Sequence, residues 1–333
     1  MKTPISSLGK VAFVDRLTDK NQSDADDAAT VSRGATLELI APMLYLEGIH
    51  FDLVYVPLKH LGYKAVVRAI SNIYAMNGKP EYITVAIGLS ARFAVEDAED
   101  LYIGINAAAK YYDLKVIAGD TTASLTGLSI SITAIGKVSP KKITRRSTAK
   151  PTELLCVSGK LGMAYMGLKI LEREKRALSG NDGVEPNLAG YEKLLEKQLK
   201  PEAPLAVINA LAEAKIVPTS MIDITSGLNS AVLNICHRSN VGARVMIDRL
   251  AIDGEMSKVA TELNFDPLIA ILNGGDDYQL LFTVPAELHK EVEIFADIIG
   301  YLTEPTEGAN LLTPNGEVVS LSSPDFASTQ ESN

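Results

Sequence analysis

The sequence predicts an α/β (α+β) protein of two lobes, and three observations lead to that prediction. The chain has 333 residues, which suits two domains that each bury a core. Strand-like and helix-like patterns alternate along it, as in domains whose helices cover a sheet. A basic, polar stretch flanked by prolines, Ser139–Pro151, marks the boundary between the lobes. The predicted parts are an N-terminal domain at 1–138, a linker at 139–151, a C-terminal domain at 152–326 and a disordered tail at 327–333.

The first lobe is predicted from two periodicities. Apolar residues recur at helical spacing along Gly62–Met76, and Asn77–Gly78 suits the left-handed end of that helix. Apolar and hydroxyl side chains alternate along Leu128–Ile135, which indicates a strand with two different faces. The same reasoning predicts a helix at Val95–Tyr112 and strands at Leu44–Val56 (interrupted by Glu47–Gly48), Tyr82–Leu89 and Lys115–Ala118.

The second lobe is predicted to contain the same mixture of strands and helices. A loop rich in Gly, Asn and Asp occupies Ser179–Asn187. The predicted strands are Leu154–Ser158, Thr219–Ile224, Ala243–Ile247 and Gln279–Val284. The predicted helices are Ala164–Lys175, Pro204–Lys215, Leu228–Arg238 and Ala286–Ala296.

Composition indicates a globular protein with an aliphatic core. Hydrophobic residues make up 47% and charged residues 22%, while tryptophan is absent and aromatic residues reach only 6%. The net charge of −9 disfavours binding to nucleic acid and to anionic membranes. The densest basic run, Lys141–Arg146, fits either a solvated connector between the lobes or a contact with phosphate.

The cysteines and the lengths of the apolar runs indicate in which cellular compartment the protein is found. Cys156 and Cys236 each lie in an apolar stretch, so we expect two buried thiols rather than a disulfide or a metal site. No segment approaches 18 apolar residues, and Met1–Phe13 contains no apolar run of signal-peptide length. We therefore expect a cytoplasmic protein that does not span a membrane.

Four short segments place acidic residues beside glycine or hydroxyl groups at the ends of predicted strands. Carboxylates in such loops are how α/β proteins collect hard cations, and Mg²⁺ prefers oxygen ligands. Glycine allows backbone N–H groups to approach a phosphate. Taken together, the segments favour one cleft that binds metal and phosphate. They are Asp24–Asp27, Gly119–Thr122, Asp223–Gly227 and Gly274–Asp277.

Each segment also has an ordinary structural explanation. An Asp-Asp pair is typical of a solvated turn, and Gly119–Thr122 fits a helix cap. Gly159–Gly162 follows a strand and opens a helix, which suits tight packing as well as an anion site. No other catalytic pattern competes, because the sequence lacks a Gly-x-Ser-x-Gly elbow, a Walker-type phosphate loop and a dinucleotide-binding fingerprint.

In their order along the chain, these segments and several longer blocks resemble the thiamine-monophosphate kinases. The resemblance extends from Ile5 to about Phe326. That family is related to aminoimidazole ribonucleotide synthetase, selenophosphate synthetase and a hydrogenase-maturation dehydratase. The blocks are DDAA at 26–29, LEGIHFDL at 46–53, HLGYKA at 60–65, IYAMNGKP at 73–80, GDTTASLTGLSISITAIG at 119–136, QLKPEA at 198–203 and LNGGDDYQLLFTV at 272–284.

The resemblance implies a fold and a reaction. The N-terminal sheet is implied to pair with that of a second copy, forming a β-barrel across a homodimer, beside a C-terminal α/β lobe with a mixed sheet. The implied reaction is direct transfer of a phosphoryl group from Mg-ATP to thiamine monophosphate, giving thiamine diphosphate. Mg²⁺ is the implied cofactor, and ATP and thiamine monophosphate are the implied partners.

The resemblance also implies roles for individual residues by position, with Asp120 as the catalytic residue. Thr225 replaces a serine of the family, and Asp276 replaces a glutamate. The implied metal ligands are Asp26, Asp27, Asp120 and Asp223. The implied contacts to ATP are Tyr102, Gly119, Asp120, Arg146 and Thr225. The implied contacts to the thiamine substrate are His50, Asp276 and Phe326.

The chain departs from the family mainly at metal-binding positions. The family's Thr-Thr-Asp is here Ala41–Met43, its Ser-Asp is Ser71–Asn72, and its Ser-Asp-Gly is Thr225–Gly227. Asp24 could compensate in part. Phosphoryl transfer relies on cations that neutralise phosphate charge, so these losses favour reduced activity. The missing carboxylates are at Met43, Asn72 and Ser226.

Two functions therefore stay open from the sequence. The first is an ATP-dependent thiamine-monophosphate kinase. The second is a catalytically degenerate homologue that binds a nucleotide or a partner without turnover.

Overall fold

The structure of the protein is a computed structural model that describes residues 8–18, 26–178 and 186–326. Three sequence-based expectations fall outside these ranges: the compensating carboxylate Asp24, most of the loop Ser179–Asn187, and the tail at 327–333. Within the described ranges, no helix has the length and apolar character needed to cross a membrane.

The described N-terminal half forms a five-stranded mixed sheet. Its elements are α1 (Lys10–Leu17), β1 (Ala29–Arg33), β2 (Thr36–Leu46), α2 (Leu58–Tyr74), β3 (Lys79–Leu89), α3 (Val95–Tyr111), β4 (Lys115–Ala123) and β5 (Ser129–Val138). The strand order is β1-β2-β5-β3-β4, in which only β3 and β4 run parallel to each other. β1 and β4 are the two edges, so the described part of one chain does not close into a barrel.

One face of this sheet is buried by α2, and the other face is open. The period of two in β2 and β5 directs Leu39, Met43 and Ile132 toward α2, and all three are buried. Leu44 points the opposite way and is 55% exposed. β4 is exposed along its whole length, including Ile117 at 53%. A partly apolar sheet face and one sheet edge are thus left uncovered.

α2 and α3 cross closely because each contributes a glycine to their contact. A Cβ added to Gly104 would stand 1.9 Å from the carbonyl oxygen of Lys59. A Cβ added to Gly62 would stand 2.1 Å from the carbonyl oxygen of Leu101. Both obstacles are backbone atoms, which cannot rotate away as the end of a side chain can. The crossing therefore fixes α2, which carries several side chains of the candidate site.

The described C-terminal half forms a seven-stranded mixed sheet. Its elements are β6 (Leu154–Val157), α4 (Met163–Leu178), α5 (Glu192–Leu199), α6 (Leu205–Glu213), β7 (Ser220–Ile224), α7 (Leu228–Ser239), β8 (Gly242–Met246), α8 (Gly254–Glu262), α9 (Pro267–Asn273), β9 (Gln279–Val284), α10 (His289–Val292), β10 (Asp297–Thr303), β11 (Ala309–Leu312) and β12 (Val318–Ser320). The strand order is β12-β11-β8-β10-β6-β9-β7, with only β11 and β8 parallel. β7 is an edge strand, and its five residues are all buried.

The connector between the two sheets lies against the edge of β7. Arg145 forms a parallel bridge with Ser220, and its carbonyl oxygen accepts the Met221 N–H at 3.3 Å. The carbonyl oxygen of Arg146 accepts hydroxyl hydrogen bonds from Ser220 at 3.1 Å and Ser239 at 2.7 Å. Because these bonds hold the main chain, the two arginine side chains project from a fixed position between the lobes.

Two predicted elements differ from the structure. The strand expected at Leu44–Val56 spans Thr36–Leu46 instead, because the chain turns back after Leu46, where Glu47 pairs with Phe51. The helix expected at Ala286–Ala296 is limited to a 3₁₀ turn followed by His289–Val292. It ends there because Asp297 must begin β10, which pairs with β6 in the centre of the sheet.

We expect Gly104→Ala to destabilise the protein by about 1–3 kcal/mol, as overpacking of a close contact does. Gly254→Ala makes the same chemical change at the first turn of α8, where nothing lies within 4 Å of the added Cβ. That control should be neutral or slightly stabilising, since alanine is the better helix former. The free energy of unfolding from urea titration measures both. Equal stability of the two variants would contradict the account of the α2–α3 crossing.

Candidate active site

Two buried aspartates and two arginines meet where the lobes join. Asp26 and Asp27 directly precede β1, and Arg145 and Arg146 lie on the connector. Nη1 of Arg145 donates to Oδ2 of Asp26 at 2.8 Å, and the backbone N–H of Arg146 donates to Oδ1 at 2.9 Å. Nε of Arg146 donates to Oδ2 of Asp27 at 2.9 Å, and Nη2 donates to Oδ1. The aspartate side chains are 1% and 0% exposed, so their oxygens are contacted by arginine N–H groups rather than by bulk water.

A third carboxylate reaches this group from the C-terminal sheet. Asp223 lies on β7, and its Oδ2 accepts a hydrogen bond of 2.7 Å from the hydroxyl of Ser71 on α2. Burial raises the pKa of Asp27 to about 7, with the neighbouring Asp223 adding to the effect and Arg146 opposing it. Burial also raises the pKa of Asp26, against the hydrogen bonds from Arg146 and Arg145. Helix, strand and connector thus converge on one charged group, which we call the inter-lobe cluster (Asp26, Asp27, Asp223, Arg145 and Arg146).

A cavity of about 270 Å³ opens beside the inter-lobe cluster. The cluster contributes Asp26, Asp223 and Arg146 to its wall. The start of α7 contributes Thr225, Ser226 and Gly227, and Gly227 has a φ of +85° that favours glycine. Among the described residues, no side chain caps the first turn of α7. The cavity therefore combines cationic side chains with unoccupied helix N–H groups, an arrangement that suits phosphate. Lys10 and Arg238 are further cationic side chains in its wall; Arg238 is paired with Asp15, and Asp325 adds a third carboxylate to the wall.

A second cavity of about 240 Å³ lies against the other side of the lobe junction. His50, Lys64 and Asp276 line it. Nζ of Lys64 lies 2.9 Å from Oδ2 of Asp276 and donates to the carbonyl oxygen of Gln198 at 2.8 Å. Arg68 approaches Oδ1 of Asp276 at 3.4 Å. The carboxylate is therefore shared between two cations carried by the same helix.

Asp276 is held ionised in this buried position. Burial alone would raise its pKa, but the charges of Lys64 and Arg68 outweigh that effect, and the pKa lies below its usual value. The hydroxyl of Tyr278 donates to Oδ1 at 2.9 Å. Asp276 and Tyr278 both have positive φ, at 63° and 51°, which is uncommon for residues other than glycine. In this conformation both side chains point toward α2.

His50 offers one ring nitrogen to the second cavity. Its Nδ1 accepts the backbone N–H of Leu46 at 3.1 Å, so Nε2 carries the proton of the neutral ring. Burial and the charge of Arg68 lower the pKa of His50, which favours that neutral form. Tyr45 packs against the ring with centroids 5.1 Å apart. The result is an oriented hydrogen-bond donor beside an aromatic wall.

The two cavities are neighbours with a common wall. Thr225 lines the first and Asp276 lines the second, and the Asp276 N–H donates to the Thr225 carbonyl oxygen at 3.2 Å. α2 also connects them, because Arg68 reaches Asp276 while Ser71 reaches Asp223. A ligand in each cavity would be separated by little more than one loop of backbone.

Three of the four acidic segments predicted to form a cleft meet at this junction, and the fourth does not. Asp120 lies on the edge strand β4, in register with Ala86, Ser131 and Leu44 on the open face. β1 lies four strands away, so Asp120 and Ala29 are separated by roughly 20 Å within the sheet, at about 4.8 Å per strand. Gly119 and Tyr102 adjoin each other near the same edge.

Phe326 lines neither of the two cavities, although its neighbour Asp325 lines the first. It is the last described residue, and its ring packs edge-on against His237 near the end of α7, with centroids 6.0 Å apart. In the described part of the chain it lines neither the first nor the second cavity. Its role in covering a substrate ring stays a prediction.

The arrangement does not fit the cluster of Mg²⁺ ions that the family resemblance implies. The oxygens of Asp26 and Asp27 already accept arginine N–H groups. Met43 is buried under α2, where a thioether offers no useful oxygen ligand. Within the described residues, no group of three or more His, Cys, Asp or Glu side chains is arranged to hold a metal ion. The expected ligand set of Asp26, Asp27, Asp120 and Asp223 is therefore not assembled in one chain.

Sequence reasoning missed three charged residues of the site: Lys64, Arg68 and Arg145. Lys64 and Arg68 lie within the apolar stretch Leu61–Ile70, where a charge on a core-facing helix signals a buried partner. Arg145 was visible only as part of a short basic run. Its partner Asp26 lies 119 positions away, and no local pattern connects the two.

Comparison with known proteins places this geometry in a family. Residues 25–138 match the profile of "AIR synthase related protein, N-terminal domain". The thiamine-monophosphate kinase of Synechococcus elongatus is 30% identical over 306 residues, covering 89% of this chain and 88% of that protein. The thiamine-monophosphate kinase of Aquifex aeolicus is 28% identical, covering 85% and 88% respectively.

Solved structures agree with the sequence comparison. The structure of AaThiL complexed with AMPPCP and TMP superposes with a TM-score of 0.81 at 25% identity, covering 96% of this chain and 97% of that one. Since both the sequence and the fold match over most of their length, the chain belongs to the thiamine-monophosphate kinase family.

Proposed function

We propose that this protein binds ATP in the first cavity and thiamine monophosphate in the second, and that it acts as an ATP-dependent thiamine-monophosphate kinase. The observation that supports this most directly is the wall shared by the two cavities at Thr225 and Asp276. Phosphoryl transfer needs donor and acceptor held in line at close range, so in this proposal the phosphates of the two ligands meet past the loop that separates the cavities. The related AaThiL structure, complexed with AMPPCP and TMP, supports the choice of ligands.

The proposed reaction moves one phosphoryl group without an enzyme-bound intermediate. An oxygen of the thiamine phosphate forms a bond to the γ-phosphorus, the bond to the β,γ-bridging oxygen breaks, and ADP leaves. Arg146, Thr225 and the N–H groups at the start of α7 would contact the phosphates of ATP. His50 and Asp276 would orient the thiamine moiety. Mg²⁺ enters this proposal as part of the Mg-ATP substrate.

We further propose that the protein works as a homodimer built on the open sheet face. Leu44 on the open face and Ile117 on the edge strand β4 are more than half exposed, which leaves apolar surface that a second copy would bury. Asp120, Gly119 and Tyr102 lie at this edge and, in the described part of the chain, line neither the first nor the second cavity. Their proposed roles at the nucleotide and the metal therefore require a second copy to bring this edge to a site.

A second candidate function is nucleotide binding without turnover. It is favoured by the inter-lobe cluster, in which the oxygens of Asp26 and Asp27 already accept N–H groups of arginines. It is favoured also by the neutral residues Met43, Asn72 and Ser226 at the positions of family carboxylates. Loss of cation-binding groups lowers the rate of phosphoryl transfer more than it weakens scaffold contacts.

Turnover is the experiment that tests the first proposal. With Mg-ATP and thiamine monophosphate, the protein should form thiamine diphosphate and ADP in equal amounts, measured by chromatography with fluorescent detection of the thiamine product. His50→Asn keeps an acceptor for the Leu46 N–H but loses the Nε2 donor. We expect it to raise KM for thiamine monophosphate about tenfold, equivalent to ~1.4 kcal/mol, with KM for ATP unchanged.

His60→Asn is the matched control for this experiment, because His60 lies on α2 outside both cavities. It should leave both KM values unchanged. No product above a heat-denatured sample would refute the kinase proposal, and nucleotide binding in that same preparation would then support the second candidate. Equal effects of the two histidine variants would refute the role given to His50.

The raised pKa of Asp27 predicts a pH dependence of stability. In the folded state Asp27 keeps its proton up to about pH 7. Its contribution to the free energy of unfolding is therefore full below the pKa that Asp27 has in the unfolded chain, and it is lost as pH rises through about 7. The free energy of unfolding of the wild type, minus that of Asp27→Asn, should therefore fall between pH 5 and 8. Asp253→Asn is the control, since the pKa of Asp253 is lowered to about 2 and predicts no slope in that range. Parallel curves for wild type and Asp27→Asn would contradict this assignment.

The dimer proposal predicts a change of mass. Leu44→Glu places like charges where two open sheet faces would meet, so we expect the sedimentation coefficient to fall from that of a dimer to that of a monomer. Val95→Glu, at the exposed start of α3, is the matched control and should remain dimeric. A monomeric wild type at micromolar concentration, or an unchanged Leu44→Glu, would rule out this interface.

A further inference from the structure

The carboxylates of Asp26 and Asp27 have no oxygen left without an N–H donor. Asp26 accepts from Nη1 of Arg145 at 2.8 Å and from the Arg146 N–H at 2.9 Å. Asp27 accepts from Nε of Arg146 at 2.9 Å and from its Nη2. Two-point contact of this kind is the geometry in which guanidinium binds carboxylate most specifically. Both aspartates are thus fully engaged by the connector between the lobes.

A divalent cation at these carboxylates would compete with the arginines. Each carboxylate has about four lone-pair sites, two of which already accept N–H groups, and a Mg²⁺ ion at about 2.0–2.1 Å from the same oxygens would lie against the guanidinium groups. The two guanidinium groups would also repel an incoming cation. Both carboxylate side chains are at most 1% exposed, and Asp26 meets the first cavity beside Arg146, so an ion that enters there meets a guanidinium group at the same wall. Guanidinium and Mg²⁺ are therefore alternatives at this position rather than partners.

The rest of the junction does not restore a metal site. Asp223 engages one oxygen with Ser71 and faces Arg146. Met43 is buried in the core, and Ser226 is a neutral residue in the wall of the first cavity. The cavity wall holds cations beside these carboxylates: Arg238 is paired with Asp15 through Nη2, and its buried Nε lacks a hydrogen-bond partner among the described residues. A ligand entering here meets fixed positive groups of the protein.

We propose that Arg145 and Arg146 are built-in counterions that take the place of divalent cations at the inter-lobe cluster, so that the protein joins its lobes and receives an anionic polyphosphate without a resident metal ion. This inference goes beyond the proposed function. It concerns the ions held by the protein itself and holds whether or not the protein turns over its substrates.

The test is the response of thermal stability to Mg²⁺ without nucleotide. The melting temperature of the wild type should be the same in 5 mM Mg²⁺ and in EDTA at matched ionic strength. Arg145→Gln removes the guanidinium group from Asp26, so we expect a lower melting temperature in EDTA than that of the wild type. Mg²⁺ should raise the melting temperature of this variant by ~2 °C or more, because it binds the folded state and not the unfolded chain. The double variant Asp26→Asn/Arg145→Gln should lose this rise.

Controls keep the inference testable if Arg145→Gln does not fold. Arg33→Gln breaks the exposed pair between Arg33 and Glu38 and should not respond to Mg²⁺. Isothermal titration of Mg²⁺ into the wild type, compared with Asp26→Asn, gives an independent readout. The inference predicts no difference between them. A wild-type melting temperature that rises with Mg²⁺, or wild-type Mg²⁺ binding that Asp26→Asn removes, would overturn it.

Discussion

Three carboxylates buried between two lobes must have their charge neutralised, and this requirement governs the junction of the molecule. An ionised carboxylate removed from water is costly unless it is paired and hydrogen-bonded. Asp26 and Asp27 meet that requirement through the side chains and backbone of Arg145 and Arg146. Those arginines can do so because β7 and α7 hold the connector main chain in place. Fold and electrostatics therefore depend on each other at this point.

The same requirement shapes the second cavity. Lys64 is almost completely buried, and its charge is tolerated because Asp276 and the Gln198 carbonyl oxygen receive it. Asp276 is in turn held by a backbone with positive φ, a conformation that costs energy and persists only where its surroundings enforce it. Strain and buried charge coincide at the wall between the two cavities. Such coincidence is typical of sites that bind ligands, although buried ion pairs that serve only structure share it.

Much of the N-terminal fold could be predicted, because its long elements have strong periodic patterns. The helix expected at Gly62–Met76 and the strand expected at Leu128–Ile135 correspond to α2 and β5. Short elements such as α9 escaped prediction, since seven residues contain too little periodicity. The order of the strands in the sheet could not be predicted either. Because of that order, Asp120 lies on an edge far from Asp26, although both belong to similar acidic motifs.

Anomalous diffraction from crystals grown with Mn²⁺ and a non-hydrolysable ATP analogue would test the central claim most directly. The account predicts that Arg145 and Arg146 remain on Asp26 and Asp27, and that no Mn²⁺ lies within about 2.5 Å of those carboxylate oxygens. An anomalous peak bonded to either aspartate, with its arginine displaced, would contradict the account.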